Sequence, residues 1–186
     1  MPKTSLSKYK KKDLATHIYD TPDTYVGGSD LIEEVLPILQ EDGTIKTETF
    51  EYIPALYNIF NEILVNARDQ IIRLKQNKSK NPVTCLKITI DKESGYISIY
   101  NDGNGIDIEK HKDYNNVWVP ELIFGELLTS TNYDDTEKRV TGGRNGYGAK
   151  LANIYSLEFE VETFDVERGK KFKQTFTNNM GERTKA

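Results

Sequence analysis

The chain concentrates residues suited to phosphate chemistry in three places. The first is Thr141-Gly142-Gly143-Arg144-Asn145-Gly146-Tyr147-Gly148-Ala149-Lys150, four glycines in seven positions ahead of the helix-compatible segment Ala149 to Tyr155. Glycines let backbone N–H groups turn toward an anion without a Cβ in the way, and a helix N-terminus behind them adds about half a positive charge. The segment reads as a phosphate cradle, or as a loop with glycine punctuation and no ligand. It is not a P-loop, because Gly148 is followed by Ala149, Lys150 and Leu151 instead of Lys and then Ser or Thr. No G-x-G-x-x-G runs through Gly146 and Gly148 either, which excludes the dinucleotide fingerprint.

The second place is Glu62 with Asn66. At about 100° per residue, Asn58, Asn66, Asp69 and Arg73 fall within about 40° of Glu62 on a helix, while Leu56, Phe60, Ile63, Leu64, Ala67, Ile71 and Leu74 lie on the far side as its core face. A carboxylate and an amide oxygen one turn apart suit two tasks at a phosphate site. One is an oxygen ligand for Mg²⁺, which keeps several waters; the other is a base that takes a proton from water. A solvated face carrying an Asp69 to Arg73 ion pair is the alternative, and for Asp69 and Arg73 it is preferred. The third place is Asn101-Asp102-Gly103-Asn104-Gly105-Ile106. Its glycines let the backbone bend under a flat ligand, and a side-chain oxygen there accepts from an exocyclic amine such as adenine N6; a plain Asn/Asp/Gly turn is the alternative.

Elements must hold these groups. Residues 1–28 read as an irregular arm with one helical turn around Asp13 to Ile18, and residues 29–186 as the domain. A polar, linker-like stretch from Gln40 to Glu51 precedes Pro54, which opens a helix reaching about Lys75. Leu86, Ile88 and Ile90 alternate with Lys87, Thr89 and Asp91, and Tyr96 to Tyr100 alternates again after a turn, which predicts a hairpin. Pro120 opens a helix through about Leu128, a polar loop Thr129 to Gly148 follows, and a third helix runs to about Ser156. Strands Leu157 to Phe164 and Lys171 to Thr177 close the pattern. This order predicts an α+β fold, a two-layer sandwich of helices on one sheet.

Composition narrows the chemistry. The 186 residues are 29% charged and 37% hydrophobic with net charge −4, which opposes a domain built to coat nucleic acid. Lys8, Lys10, Lys11 and Lys12 are a local exception, read as a solvated arm in preference to a DNA contact. One Cys and two His leave no internal disulfide and no usual four-ligand zinc site. No apolar run reaches membrane-spanning length, and an intracellular protein is expected.

Taken together, Glu62-Ile63-Leu64-Val65-Asn66, Asn101 to Gly105 and Gly142 to Gly148 resemble the N-box, adenine loop and glycine lid of the GHKL (Bergerat) ATPases. That superfamily is shared by DNA gyrase, the MutL repair proteins, the ninety-kilodalton heat-shock chaperones and sensor histidine kinases. Longer strings are more specific: Leu122-Ile123-Phe124-Gly125, Leu127-Leu128-Thr129-Ser130-Thr131-Asn132-Tyr133-Asp134-Asp135 and Val140 through Lys150. With Pro22-Asp23-Thr24-Tyr25-Val26-Gly27, they are similar to the N-terminal ATPase domain of eukaryotic-type or large-DNA-virus DNA topoisomerase II.

The resemblance implies a mixed, mainly antiparallel Bergerat sheet, with ATP and Mg²⁺ as cofactors. It implies Glu62 as general base and Asn66 as the Mg²⁺ ligand at the ATP site, with Asn101 contacting adenine. Ser130, Thr131 and Asn132 contact ribose and phosphates, and Gly143, Arg144, Asn145, Gly146, Tyr147, Gly148, Ala149 and Lys150 wrap the triphosphate. Tyr25 belongs to an arm that crosses to the partner subunit's nucleotide in a homodimer closed through the N-gate. Duplex DNA is bound mainly by other domains, no membrane is involved, and the location is the nucleus for a cellular protein or the site of viral DNA replication for a viral one. Thr21 departs from the basic residue usual before the Pro-Asp-Thr-Tyr string. The family's ATPase region continues into a transducer domain that brings a Gln and a Lys to the γ-phosphate, so the expectation is a fragment that hydrolyses ATP poorly alone. Two alternatives stay open: a MutL- or chaperone-type ATPase, and a nucleotide-gated dimerisation module without turnover.

Overall fold

The computed structural model describes residues 12–127 and 147–186. The chain begins with two short helices, α1 (Leu14–Asp20) and α2 (Pro22–Tyr25). Asp13 caps α1, its carboxylate accepting from Thr16 N at 2.9 Å, and Pro22 opens α2 where its missing N–H costs nothing. These helices do not project from the molecule. Ile18 and Val26 are 0% and 2% exposed and share one apolar cluster with Ala55, Leu151 and Ile154. The Tyr155 hydroxyl donates to Ile18 O, tying the segment down from the other side.

The stretch read as a linker, Gln40 to Glu51, holds the turn and most of the second strand of a hairpin. Strands β1 (Ile32–Leu39) and β2 (Ile45–Tyr52) pair antiparallel from Ile32 opposite Tyr52 to Leu39 opposite Ile45. Its turn is closed by Asp42, which accepts from Thr44 N at 2.9 Å and Thr44 Oγ1 at 2.6 Å. Sequence periodicity missed β2 because all but the last of its residues are exposed. A strand wet on both faces carries no hydrophobic alternation.

Pro54 opens α3 (Pro54–Gln76), a 23-residue helix within one residue of its expected end. Next come the predicted hairpin β3 (Leu86–Asp91) and β4 (Tyr96–Asn101), the small ladder β5 (Lys110–His111) with β6 (Val117–Trp118), and α4 (Val119–Gly125). Helix α4 stops earlier than expected, Glu126 being extended at φ −117° and ψ 117°. After α5 (Gly148–Ile154) the chain finishes in β7 (Glu158–Asp165), β8 (Lys170–Thr177) and β9 (Glu182–Arg183). Strand β7 alternates cleanly, with Val161, Thr163 and Asp165 buried between exposed neighbours, as a half-buried strand requires.

Helix α5 packs on both α3 and α4, and the three helices lie against β4, β7 and β8, as the α+β reading requires. Every pairing among the described strands is antiparallel, and they form four ladders: β1-β2, β3-β4, β5-β6 and β7-β8-β9. The expected mixed sheet is therefore not continuous among the described residues. Strand β4 meets β7 through the loop that follows it instead: Val166 N donates to Asn104 O at 3.2 Å, Ile106 N to Thr163 Oγ1 at 3.1 Å and Ile108 N to Asp165 Oδ2 at 2.8 Å. Burial pushes the Asp165 carboxyl up, but the amides of Ile108 and Arg168 and the Arg168 guanidinium outweigh it and hold it below the usual range.

Candidate functional site

Helix α3 carries Glu62 to the start of α5. A Cβ placed on Gly148 would stand 2.8 Å from Glu62 Cδ and overlap Oε2, so the carboxylate lies directly against the first residue of α5. With Glu62 in this position, any side chain at 148 would push the carboxylate away from α5. Burial raises the Glu62 pKa above the ordinary glutamate value, the direction that makes a carboxylate a stronger base. Asn66, one turn later on the same face, is exposed, so its amide oxygen is open to a ligand.

The same face corrects the reading of Asp69. The wheel assigned it to solvent with Arg73, yet Asp69 is 4% exposed, and Arg68 Nη1 lies 3.6 Å from its Oδ1. Elsewhere on this face Gly148 of α5 lies against Glu62, so the face that the wheel left to water is in part a packing surface. The wheel also misplaced Leu56, which is 54% exposed although it lies on the apolar side. Asp69 is the polar residue that sequence reasoning set aside. Its one signal was the i,i+3 step from Asn66.

The loop after β4 is held from both sides. Asp102 accepts from Thr84 N at 2.7 Å, Thr84 Oγ1 at 2.6 Å and Cys85 N at 2.8 Å, which keep its carboxyl below the usual range, the Thr84 hydroxyl contributing most. Asp102 is thus an anchor of the loop. Asn101, half-buried at the end of β4, donates its Nδ2 to Asp102 O at 2.8 Å, an amide orientation that leaves the oxygen end as the acceptor adenine N6 requires. Gln70 Nε2 of α3 donates to Asn104 Oδ1 at 2.9 Å and so fixes the loop to the helix that bears Glu62.

Gly105 is the tightest point of this loop. At φ +73°, a Cβ there would stand 2.6 Å from the Phe164 carbonyl carbon and overlap its oxygen, and backbone cannot swing aside as a side chain can. Gly105→Ala is therefore expected to lose about 3 kcal/mol or more, combining left-handed strain with overpacking, or about 6–12 °C in melting temperature. Gly95→Ala is the control: φ is +69° there, but nothing lies within 4 Å. Equal losses for the two variants would show that Phe164 plays no part.

Lys150 is 2% exposed in the first turn of α5. Burial pushes its ammonium down to about 8, and the Glu126 carboxylate partly opposes this. Between that value and the ordinary 10.5 the unfolded chain holds the extra proton, so unfolding free energy rises with pH across the window. The penalty is fully present below 8 and gone above 10.5, about 3 kcal/mol in all. Lys150→Met should flatten this rise in melting temperature, and an identical rise in the variant would refute the assignment.

Tyr25 sits at the end of α2 with its hydroxyl 3.1 Å from His17 Nδ1. Tyr147 and Tyr25 both pack against the apolar cluster under α5, and Ala149 is 7% exposed. The structure thus brings together Glu62, Gly148 and the start of α5, with Asn66 on the next turn of α3 and Asn101 at the end of β4, just before the loop braced to that helix. Ser130, Thr131, Asn132, Gly143, Arg144, Asn145 and Gly146 lie outside the described residues. Among the described residues no three His, Cys, Asp or Glu side chains group as a metal site, and no helix is long and apolar enough to cross a membrane.

Comparison with known proteins agrees with this geometry. Residues 51–180 match the family described as histidine kinase-, DNA gyrase B-, and HSP90-like ATPase. The chain is 50% identical over 179 residues to DNA topoisomerase 2 of Plasmodium falciparum, which covers 96% of this chain and 13% of that protein. It is 48% identical over 187 residues to DNA topoisomerase 2 of Acanthamoeba polyphaga mimivirus, 96% of this chain and 14% of that protein. Among solved structures, the ATPase region of Saccharomyces cerevisiae topoisomerase II superposes with a TM-score of 0.86 at 44% identity, over 97% of this chain and 46% of that one. The chain therefore spans about one seventh of the length of these curated relatives.

Proposed function

Because the chain belongs to the histidine kinase-, DNA gyrase B- and HSP90-like ATPase family, with an α+β fold like that of the topoisomerase II ATPase region, we propose that it is the ATP-binding and ATP-hydrolysing N-gate module of a type IIA DNA topoisomerase. The observation that carries this reading is the half-buried Glu62 carboxylate seated against Gly148 at the start of α5, with Asn66 one turn away. A general base therefore faces the backbone that leads out of the glycine-rich segment. Passage of one duplex through a transient double-strand break in another, ATP-driven homodimerisation and a nuclear or viral-replication location belong to the whole protein in this proposal.

The residues suit the two ligands. The glycine at 148 leaves room only for the Glu62 carboxylate, and Asn66 is a hard, neutral oxygen donor of the kind Mg²⁺ takes beside phosphate oxygens. When bound, Mg²⁺ supplies charge neutralisation for the transferring phosphoryl group. In this assignment Glu62 orients and deprotonates the attacking water, and Asn101 accepts from the adenine amine. Ser130, Thr131 and Asn132 reach ribose and phosphates, and Gly143 through Lys150 present backbone amides and the Lys150 ammonium to the triphosphate. Tyr25 serves the nucleotide of the partner subunit. Asp69 joins this set as a buried carboxylate on the same helix face.

The ligand assignment is tested by Asn66→Ala. With Asn66 as the metal ligand, the substitution should weaken binding of a non-hydrolysable ATP analogue far more in Mg²⁺ than in EDTA, as read by titration calorimetry. Equal losses in the two buffers would remove Asn66 from the metal. Wild-type protein that binds no adenine nucleotide would remove the whole reading.

A further inference from the structure

The loop after β4 turns on Gly103 and Gly105, at φ +114° and +73°, with Asn104 between them. Both the main chain and the side chain of Asn104 are engaged. Its backbone O accepts from Val166 N at 3.2 Å, and its Oδ1 accepts from Gln70 Nε2 of α3 at 2.9 Å. Gln70 and Asn104 are half-buried, where a hydrogen bond is stronger than in open water. Gly103 packs toward the same helix, since a Cβ there would stand 3.1 Å from Leu74 Cδ1 and 3.0 Å from Val83 Cγ2. Along α3, Gln70 lies one turn beyond Asn66 and two beyond Glu62, while Asn104 follows Asn101 by three residues. One side-chain bond thus joins the helix of the candidate base and metal ligand to the loop that follows the candidate adenine contact.

We propose that Gln70 is a positioning residue for nucleotide binding, which acts through Asn104 to set the loop after β4 in its binding conformation before adenine arrives. The physical basis is preorganisation. Glycines on both sides of Asn104 give the backbone many conformations to sample. A loop left free among them must be ordered by the incoming nucleotide, and affinity falls with the fraction of molecules in the competent state. Asp102 fixes the entry of the loop to Thr84 and Cys85 ahead of β3, and Gln70 fixes its place relative to α3. Once the nucleotide is seated it holds the loop itself, so the bond sets affinity and leaves the chemical step unchanged. The inference rests on the nucleotide-site reading above.

The test is a double-mutant cycle read by calorimetric affinity for a Mg²⁺-bound non-hydrolysable ATP analogue, with kcat of the full-length protein at saturating ATP beside it. Gln70→Met keeps the length of the side chain and removes the donor; Asn104→Leu removes the acceptor. Each is expected to weaken binding by about two- to tenfold, the scale of one net hydrogen bond, with kcat near wild type. The double variant should bind no more weakly than either single one, because both remove the same bond. Unchanged affinity in Gln70→Met overturns the inference. Losses that multiply in the double variant do so too, since they would give Gln70 a contact of its own with the nucleotide. A fall in kcat at saturation would make Gln70 part of the chemistry, and variants unfolded at the assay temperature would make the bond structural; either result overturns it. If wild type binds the analogue and the cycle fails, only this inference falls. If wild type binds no adenine nucleotide, the nucleotide-site reading falls and takes this inference with it.

Discussion

Glu62→Gln is expected to leave Mg-ATP binding largely intact while ATP turnover by the full-length protein falls by about 10²–10⁴-fold, the usual contribution of a general base. The substitution keeps the shape of the side chain beside Gly148 and removes only its capacity to accept a proton. Steady-state hydrolysis and equilibrium binding of an ATP analogue separate the two effects. A drop in binding that matches the drop in turnover would make Glu62 a structural residue. The pH profile adds a second check. Burial raises the Glu62 pKa above its ordinary value of 4.5, so the acidic limb of turnover should rise at higher pH than an exposed glutamate would give. Activity is present above the raised pKa and lost as pH falls through it, because the base must be ionised to act. An acidic limb placed at or below the ordinary value would contradict the burial argument.

Much of the fold was readable where one face of an element is dry. Helix α3 was bounded within a residue at both ends because Pro54 marks its start and apolar residues repeat along it. The β3-β4 hairpin and strand β8 followed from period-two alternation. What was missed is of two kinds: a strand with no dry face, and segments whose burial comes from partners far away in the chain. Strand β2 is wet on both faces, so it looked like a linker. Residues 14–26 looked like a free arm because Ile18 and Val26 meet Ala55, Leu151 and Ile154 only in the folded chain. Asp69 looked solvated because a helical wheel shows the face of one helix and nothing of what packs against it, and in the folded chain Asp69 is buried.

The site divided in the same way. Glu62, Asn66 and Gly148 were legible from residue type and spacing, since a carboxylate, an amide and a glycine have few joint uses at phosphate. The role of Asp102 was not, because only the structure shows its carboxylate engaged by Thr84 and Cys85.

The most direct measurement of the central claim is the thermal unfolding of the chain with and without nucleotide. A ligand that binds only the native state adds about 2.7 kcal/mol at a hundredfold excess over its dissociation constant, and a domain of this size gains about 2–4 °C per kcal/mol. A saturating non-hydrolysable ATP analogue with Mg²⁺ is therefore expected to raise the melting temperature by about 5–10 °C. GTP should do much less if Asn101 takes the proposed adenine contact, because the guanine ring offers a carbonyl where adenine presents an amine. A transition unmoved by any adenine nucleotide at millimolar concentration, with no heat of binding in calorimetry, would contradict the assignment of this chain as an ATP site.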